Sequence, residues 1–377
     1  MKSFLLFFQM MAIIIHIKAQ QIPDSKNYTI VYYPKTSKAK ISIVNKNYKE
    51  ALTHYKSAFK SVKRSFSSDV YNAMVCSIMI NNYDQAIVFA DTLFDKGINI
   101  EKIQKKITEF PDIFSSFEQS TQWQKTKKEY PNRKQKYLRP KEKEVKDFLS
   151  YLSDLDQKPR GIKNNIPDTL IFKGKKINTK NIDRMDSLTM AEFKLFIKEK
   201  GFPSEDVIGK LDIHESNYPF NLLMIHYSYL KSFHQDFDEM LLNEVKKGNF
   251  YVENYMYLAD RYMGAPNLSK TEVPYGCIGF CCYTDKDVAI MDKETREKLF
   301  KECLWRVPKS YIANQDKLDI NRKKLGVNTF SEFLKTAIFS TENRYFELEI
   351  SSAFMVAGKN YEVKFKDKLE LLEIIKK

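Results

Sequence analysis

A mainly α-helical protein is what this chain predicts, and three observations carry the prediction. Aromatic residues make up 14% of the 377, whereas Gly and Pro number only 11 and 12, a balance that favours long helices over a turn-rich β fold. Apolar residues recur at helical spacing, as in Val145, Phe148, Leu149, Leu152 and Leu155. Near the N-terminus two segments repeat each other, and their offset is that of a helix-turn-helix unit. The hydrophobic content of 43% is enough for two cores, since domains run to about 100–200 residues.

The first nineteen residues (1–19) read as a secretory signal peptide. Met1-Lys2 is followed by an apolar run from Ser3 to Ile17, broken by Gln9 and His16, and then by Lys18-Ala19. A charged start, a run too short to span a bilayer and a small residue at the cut site are the parts of such a signal. Cleavage near Ala19 would make the protein secreted or periplasmic. No Cys follows the run, which argues against a lipid anchor there, and no later stretch approaches the roughly 20 apolar residues of a transmembrane segment. Residues 20–40 read as an extended lead-in, because Asn27 to Pro34 is rich in Tyr, Ile and Val.

Asn47-Tyr48-Lys49-Glu50-Ala51 recurs as Asn82-Tyr83-Asp84-Gln85-Ala86, and Ala58-Phe59 aligns with Leu93-Phe94, all at an offset of 35. Val70 to Gly97 reads as one full helix pair turning at Asn81-Asn82. Over about residues 41–107 the pattern resembles the tetratricopeptide repeat; a generic helical bundle is the plainer alternative. The resemblance implies packed helix pairs whose concave groove takes a peptide or a partner helix. Two repeats fall short of the ~3 that an independent solenoid needs. The region, taken as 41–128, should therefore lean on a capping helix near Ile113 to Lys128, anchored by Trp123, or on the second domain.

The formal charge is +14, falling to +12 when Lys2 and Lys18 leave with the signal. Part of the excess lies between Gln124 and Lys146, where ten basic residues face Glu129, Glu142 and Glu144. With Pro131 and Pro140 punctuating it, residues 129–146 read as a basic linker. Such a run can contact nucleic acid or anionic lipid. An exported protein rarely meets nucleic acid, so none is expected as a partner, and the run reads as a solvated face.

Residues 147–339 form the second domain. Along it stand Asp156-Gln157-x-x-Arg160, Gly201-Phe202-Pro203-Ser204, His226, Asp260-Arg261, Tyr275-Gly276 and Asn321-Arg322. Their order resembles an uncharacterised family of bacterial domains, over roughly residues 146–339, and the resemblance implies no established activity. This chain has Cys277-Ile278-Gly279-Phe280-Cys281-Cys282 where the family pattern has Thr-Gln, and Thr189 where it has Asn.

From the residues themselves, Asp156 and Arg160 are four apart and can pair on one helix face, although Pro159 intervenes. His226 falls on the apolar stripe of a helix spanning 221–247, beside Leu222, Leu230, Phe233, Phe237 and Leu241. It reads as a core histidine, or as a general base oriented by Asp260 or Asp156. The candidate pocket is Asp156, Gln157, Arg160, His226, Asp260, Arg261, Tyr275 and Arg322.

Four of five cysteines cluster as Cys277, Cys281, Cys282 and Cys303, with Cys76 apart. One disulfide involving Cys303 is expected in an oxidising compartment; zinc on Cys277, Cys281 and Cys282 is the weaker reading, since no paired spacing or neighbouring His supports it. No cofactor is expected. The chain has no Gly-x-Ser-x-Gly, phosphate loop, dinucleotide fingerprint or His-Glu-x-x-His motif, so the commoner enzyme classes lack support. Residues 340–377 read as a hairpin and helix, from the alternation in 345–350 and 361–365 across Gly358, and 162–177 as another hairpin around Gly174. The leading expectation is an exported interaction or scaffold protein acting through its repeat; the alternative is a hydrolase-like or small-ligand-binding domain around His226.

Overall fold

The computed structural model describes residues 26–134, 142–161, 166–172, 174–209, 223, 233–264, 274–276, 279–281, 306–348, 354–356 and 369–371. Residues 1–25, His226, Cys277, Cys282 and Cys303 lie outside them. The chain is mainly helical, with a two-stranded and a four-stranded sheet among the described residues.

Helices α1 (Tyr28–Val31) and α2 (Tyr33–Val44) occupy the expected extended lead-in. The side chain of Asn27 accepts the Thr29 amide at 3.1 Å and so starts α1. Pro34 sits in the first turn of α2, where a missing N–H leaves no intrahelical bond unmade. The aromatic residues that suggest a strand are instead a packed cluster: Tyr28, Tyr32 and Tyr33 are buried with their rings 5.2–6.2 Å apart.

Two pairs of helices follow the chain from there. Helix α2 packs on α3 (Tyr48–Lys60), and α4 (Ser67–Met79) on α5 (Tyr83–Asp95). The turns within these two pairs repeat as closely as the sequence does. Lys46 and Asn81 both adopt positive φ, at 59° and 57°. The Asn47 amide donates to the Ser42 carbonyl and the Asn82 amide to that of Ser77, each at 2.8 Å, the six-to-one bond that closes a left-handed helix end. Ala51, Ala58, Ala86 and Ala90 are buried where the paired helices meet, because a methyl side chain lets backbones approach. The first pair thus begins at Tyr33, earlier than the resemblance suggests.

Beyond the second pair come α6 (Ile100–Glu109), α7 (Pro111–Glu118) and α8 (Thr121–Lys134). The expected single capping helix is two, broken at Gln119-Ser120, where the Ser120 hydroxyl accepts the Trp123 amide at 3.2 Å. Trp123 is fully buried, 5.2 Å from the Phe117 ring, with its indole N–H donating to Gln104 at 3.1 Å. Pro131 lies inside α8.

Helix α9 (Glu142–Gln157) starts where the periodicity predicts and buries Val145, Leu149, Leu152 and Leu155. A 3-10 turn, Lys158–Arg160, ends it at Gly161. Strands β1 (Thr169–Phe172) and β2 (Lys175–Asn178) pair antiparallel, Phe172 opposite Lys175, across Gly174 at φ 75°. Helix α10 (Ile182–Lys200) stops at Gly201, and α11 (Glu205–Ile208) opens with two acidic residues. Helices α12 (Phe233–Lys246) and α13 (Val252–Gly264) follow; Phe237 and Leu241 are buried as their stripe predicts.

The second sheet has the order β5-β3-β4-β6, from β3 (Gly279–Cys281), β4 (Arg306–Pro308), β5 (Phe354–Val356) and β6 (Leu369–Leu371). Strand β5 runs parallel to β3, and β6 antiparallel to β4. The C-terminal segments therefore pair with earlier strands, and residues 345–348, the first arm of the expected hairpin, form no strand; 361–365 lie outside the described residues. Helices α14 (Lys309–Ala313), α15 (Gln315–Lys324) and α16 (Phe330–Glu342) connect the two halves of this sheet.

The N-terminal helices and the later region share one hydrophobic core, running from Tyr28 to Leu348. Gly326, after α15, shows how closely they meet. At φ +72° its Cα faces the Thr29 carbonyl and the Pro34 ring, and an added Cβ would lie 2.2 Å from that oxygen. Gly326→Ala is expected to cost at least about 2 kcal/mol, the left-handed backbone and the clash adding together. Gly161→Ala, at φ +75° with open space around it, should cost only about 1 kcal/mol. Urea denaturation of both variants checks the difference, and equal losses would refute the close approach.

The buried tyrosines set a second expectation. Burial raises the ionisation of Tyr32, Tyr33, Tyr55 and Tyr71 well above the usual phenol range; the Asp69 carboxylate reinforces this for the first three and that of Glu347 for Tyr71. The folded chain keeps protons that the unfolded chain releases, so the stabilisation is complete below about pH 10 and is lost as pH rises beyond it. Four such groups give a slope on the order of 5 kcal/mol per pH unit. Phenolate absorbance and circular dichroism should change together in one steep alkaline step, and smooth titration near pH 10 with helicity intact would contradict the burial.

Candidate functional site

Helix α4 is buried along its whole length from Ser67 to Ile78, although it carries Ser67, Ser68, Asp69, Asn72 and Ser77. A buried polar group costs stability unless it is paired; Ser77 bonds locally to the Ala73 carbonyl, whereas Ser67, Asp69 and Asn72 take partners from far along the chain. Asn72 Nδ2 donates to the Glu347 carbonyl and Asn72 Oδ1 accepts the Glu347 amide, each at 2.7 Å. One side chain thus reads both polar groups of a single backbone residue. The Tyr71 hydroxyl donates to the Tyr345 carbonyl at 3.1 Å.

Helix α6 completes the grip. Lys106 shares the buried face of Ile103 and Ile107, and its ammonium donates to the Arg344 carbonyl at 2.8 Å while pairing with the Glu347 carboxylate at 2.7 Å. Around it the Tyr345 ring lies 6.0 Å from Phe110, and Phe346 lies 6.0 Å from Tyr48. Residues 344–348 therefore run as an irregular segment against the helix pairs, held by main-chain bonds and aromatic packing. The faces that α4 and α6 present to this segment are filled by the chain itself.

Other buried charges join the same two regions. The Glu205 carboxylate accepts the Ser67 amide at 2.8 Å, and the Ser67 hydroxyl as well. It thus supplies from α11 the acceptor that the first turn of α4 lacks, with the helix dipole favouring its charge. Lys96 contacts Glu205 at 3.4 Å and Asp206 at 3.1 Å. Lys40 pairs with Glu253 and donates to the Tyr251 hydroxyl. Tyr32 donates to buried Asp69 at 2.7 Å.

The residues singled out from sequence fall as follows. Arg160 forks onto both oxygens of Asp186 at 2.9 and 2.8 Å, the bidentate geometry that guanidinium favours. It also lies 3.5 Å from Asp156, the expected four-residue pair, which the 3-10 turn preserves despite Pro159. Gln157 donates to the Asp156 carboxylate. In a second group, Asp260 accepts the Tyr275 amide at 2.8 Å. Arg322, 2% exposed, donates to the Tyr275 carbonyl at 3.0 Å and the Asn328 carbonyl at 2.6 Å and lies over the Phe333 ring.

Each of these charges is engaged by the protein's own groups. His226 lies outside the described residues, and of Arg261 and Cys281 only the backbone is described. Among the described residues no set of three His, Cys, Asp or Glu side chains could hold a metal, and no helix is long and apolar enough to cross a membrane. Sequence reading missed Asp186, Asn72, Lys106 and Glu205. For Lys106 a signal existed, a lysine on the Ile100, Ile103, Ile107 stripe; for Asn72 there was none, its partner being 275 residues away.

Asn72→Ala is expected to destabilise the chain by about 2–3 kcal/mol, because it leaves two main-chain groups without their bonds in the interior. Hydrogen exchange at the Glu347 amide should accelerate by roughly the same free energy, on the order of thirtyfold. An unchanged exchange rate would show that the clamp does not hold the segment.

Compared with protein-family models, with curated proteins and with solved structures, the chain shows no match in any of the three.

Proposed function

We propose that this is an exported interaction or scaffold protein in which the tetratricopeptide-like helix pairs form a rigid platform for a protein partner. The observation that carries this reading is the clamp of Asn72, Tyr71 and Lys106 on the main chain of 344–347. Holding an irregular stretch by its backbone, with pockets for its aromatic side chains, is how helical repeats recognise peptides. Here the inner face uses that chemistry on its own chain and anchors the later region to the platform.

A partner in trans then meets the outward faces of α3 and α5. Val88 on α5 is 55% exposed, an aliphatic side chain open to contact. Export rests on the charged, apolar and small-residue pattern of residues 1–19. The polar groups around Arg160 and Arg322 act in this reading as braces.

Photo-crosslinking in cells that export the protein tests the reading. A photoreactive residue at Val88 or Thr53 should give reproducible, protease-sensitive adducts on a chain beginning just after Ala19. The same residue at Ile320, also exposed but on α15, should give none. Adducts absent from the first two sites, or equal at all three, would defeat the proposal.

A further inference from the structure

The first helix pair carries a charge imbalance that its ion pairs do not balance, although Lys35 donates across it to the Ser57 carbonyl at 3.3 Å. Between Lys26 and Arg64 the chain has ten basic residues, and its acidic residue is Glu50 alone. Lys40 is consumed by Glu253, and Arg64 lies 3.4 Å from Asp206. Lys35, Lys56 and Lys60 are used differently. Together with Thr53, Ser57 and Ser61 they line an open groove between α2 and α3. That groove contains no acidic residue, and none of its three lysines has an acidic partner among the described residues.

The spacing along α3 explains the groove. Ala51, Leu52, Tyr55 and Ala58 form its buried face. Thr53, Lys56, Ser57 and Lys60 follow one another at three- and four-residue intervals along the outer side, and Lys49 continues the row one turn earlier. Lys49 lines the adjoining groove with Lys46, Thr53 and Glu50, whose carboxylate lies 3.7 Å from His54. From Lys49 to Lys60 the stripe is about 16 Å long, the span of about five residues of extended chain.

We infer that this stripe is the contact surface for an acidic peptide segment of a partner protein. The inference rests on the interaction reading above and names the partner's chemistry. Lysines in a row set carboxylates at matching intervals, and between them the Ser57 hydroxyl can bond the partner's main chain, while those of Thr53 and Ser61, already donating to the Lys49 and to the Val31 and Ala58 carbonyls, can accept its amides. Charge complementarity of this kind governs encounter rate and specificity. A flat anionic bilayer fits less well, because the groove is concave and its lining offers no large apolar side chain to insert among lipid tails.

The experiment uses the mature chain and a fluorescein-labelled hexaglutamate, with hexaglutamine as the neutral control, read by anisotropy at low salt. Hexaglutamate should bind, hexaglutamine should not, and binding should weaken severalfold as salt shortens the Debye length from about 20 to about 8 Å. The triple variant Lys35→Ala, Lys56→Ala, Lys60→Ala should lose about tenfold in affinity. A second triple variant, Lys125→Ala, Lys127→Ala, Lys128→Ala, removes the same charge from α8 and should stay within about twofold of the parent.

Equal losses in the two variants would reduce the effect to net charge and overturn the site. So would indifference to the choice of peptide, or tighter binding to phosphatidylglycerol vesicles or to a sulfated polysaccharide than to hexaglutamate. If crosslinks at Val88 persist while hexaglutamate fails, the acidic partner is refuted and the platform reading stands.

Discussion

Polar side chains buried on all sides of a helix must be paired within the protein, and α4 imposes that requirement on everything around it. Its first turn takes Glu205 from α11, its Asp69 takes the Tyr32 hydroxyl from before α2, and its Asn72 takes the backbone of Glu347. None of these partners is local in sequence. An unmet group at this depth costs about 1–3 kcal/mol, comparable to much of a domain's net stability of about 5–15 kcal/mol. The helix pairs and the later region are therefore interdependent, and the short array is completed by the chain that follows it.

How much of this the sequence discloses depends on the range of the forces involved. The internal repeat was legible because it records local geometry: Lys46 and Asn81 occupy the same left-handed turn, and buried Ala51 recurs 35 residues on as buried Ala86. Helix α9 and the β1–β2 hairpin were legible for the same reason, a period of 3.6 in one and a glycine turn in the other. The misreadings share a cause as well. Tyr, Ile and Val before Pro34 favour a strand by propensity, yet the Asn27 cap and the proline's place in a first turn decide for helix. Tertiary packing likewise takes 345–348, the first arm of the expected C-terminal hairpin, against α4 and α6 instead of into a strand.

The polar landmarks of the later region divide along the same line. The Asp156 to Arg160 spacing announced an ion pair, and the pair is present. What spacing could not announce was Asp186, which takes both sides of the guanidinium and turns a weak surface pair into a half-buried brace. Asp260, Tyr275 and Arg322 show a related pattern: a carboxylate and a guanidinium hold the amide and carbonyl of one loop residue from opposite ends. Charges that look catalytic in a list of motifs can thus be tying irregular backbone to helices, since backbone groups in the interior need partners as much as side chains do.

The faces of α4 and α6 that the chain covers are closed to any free peptide of the same kind. The 344–348 segment is tethered by helix α16, so it competes for those faces at an effective concentration in the millimolar range. A free peptide at micromolar concentration, making the same contacts, is outcompeted by about a thousandfold, or roughly 4 kcal/mol. To displace the segment it would also have to bring its own replacements for Tyr345, Phe346 and Leu348, which are all buried. The groove between α2 and α3 holds no such segment among the described residues. Residues 344–348 and the faces of α4 and α6 that they cover thus hold one another in a single arrangement.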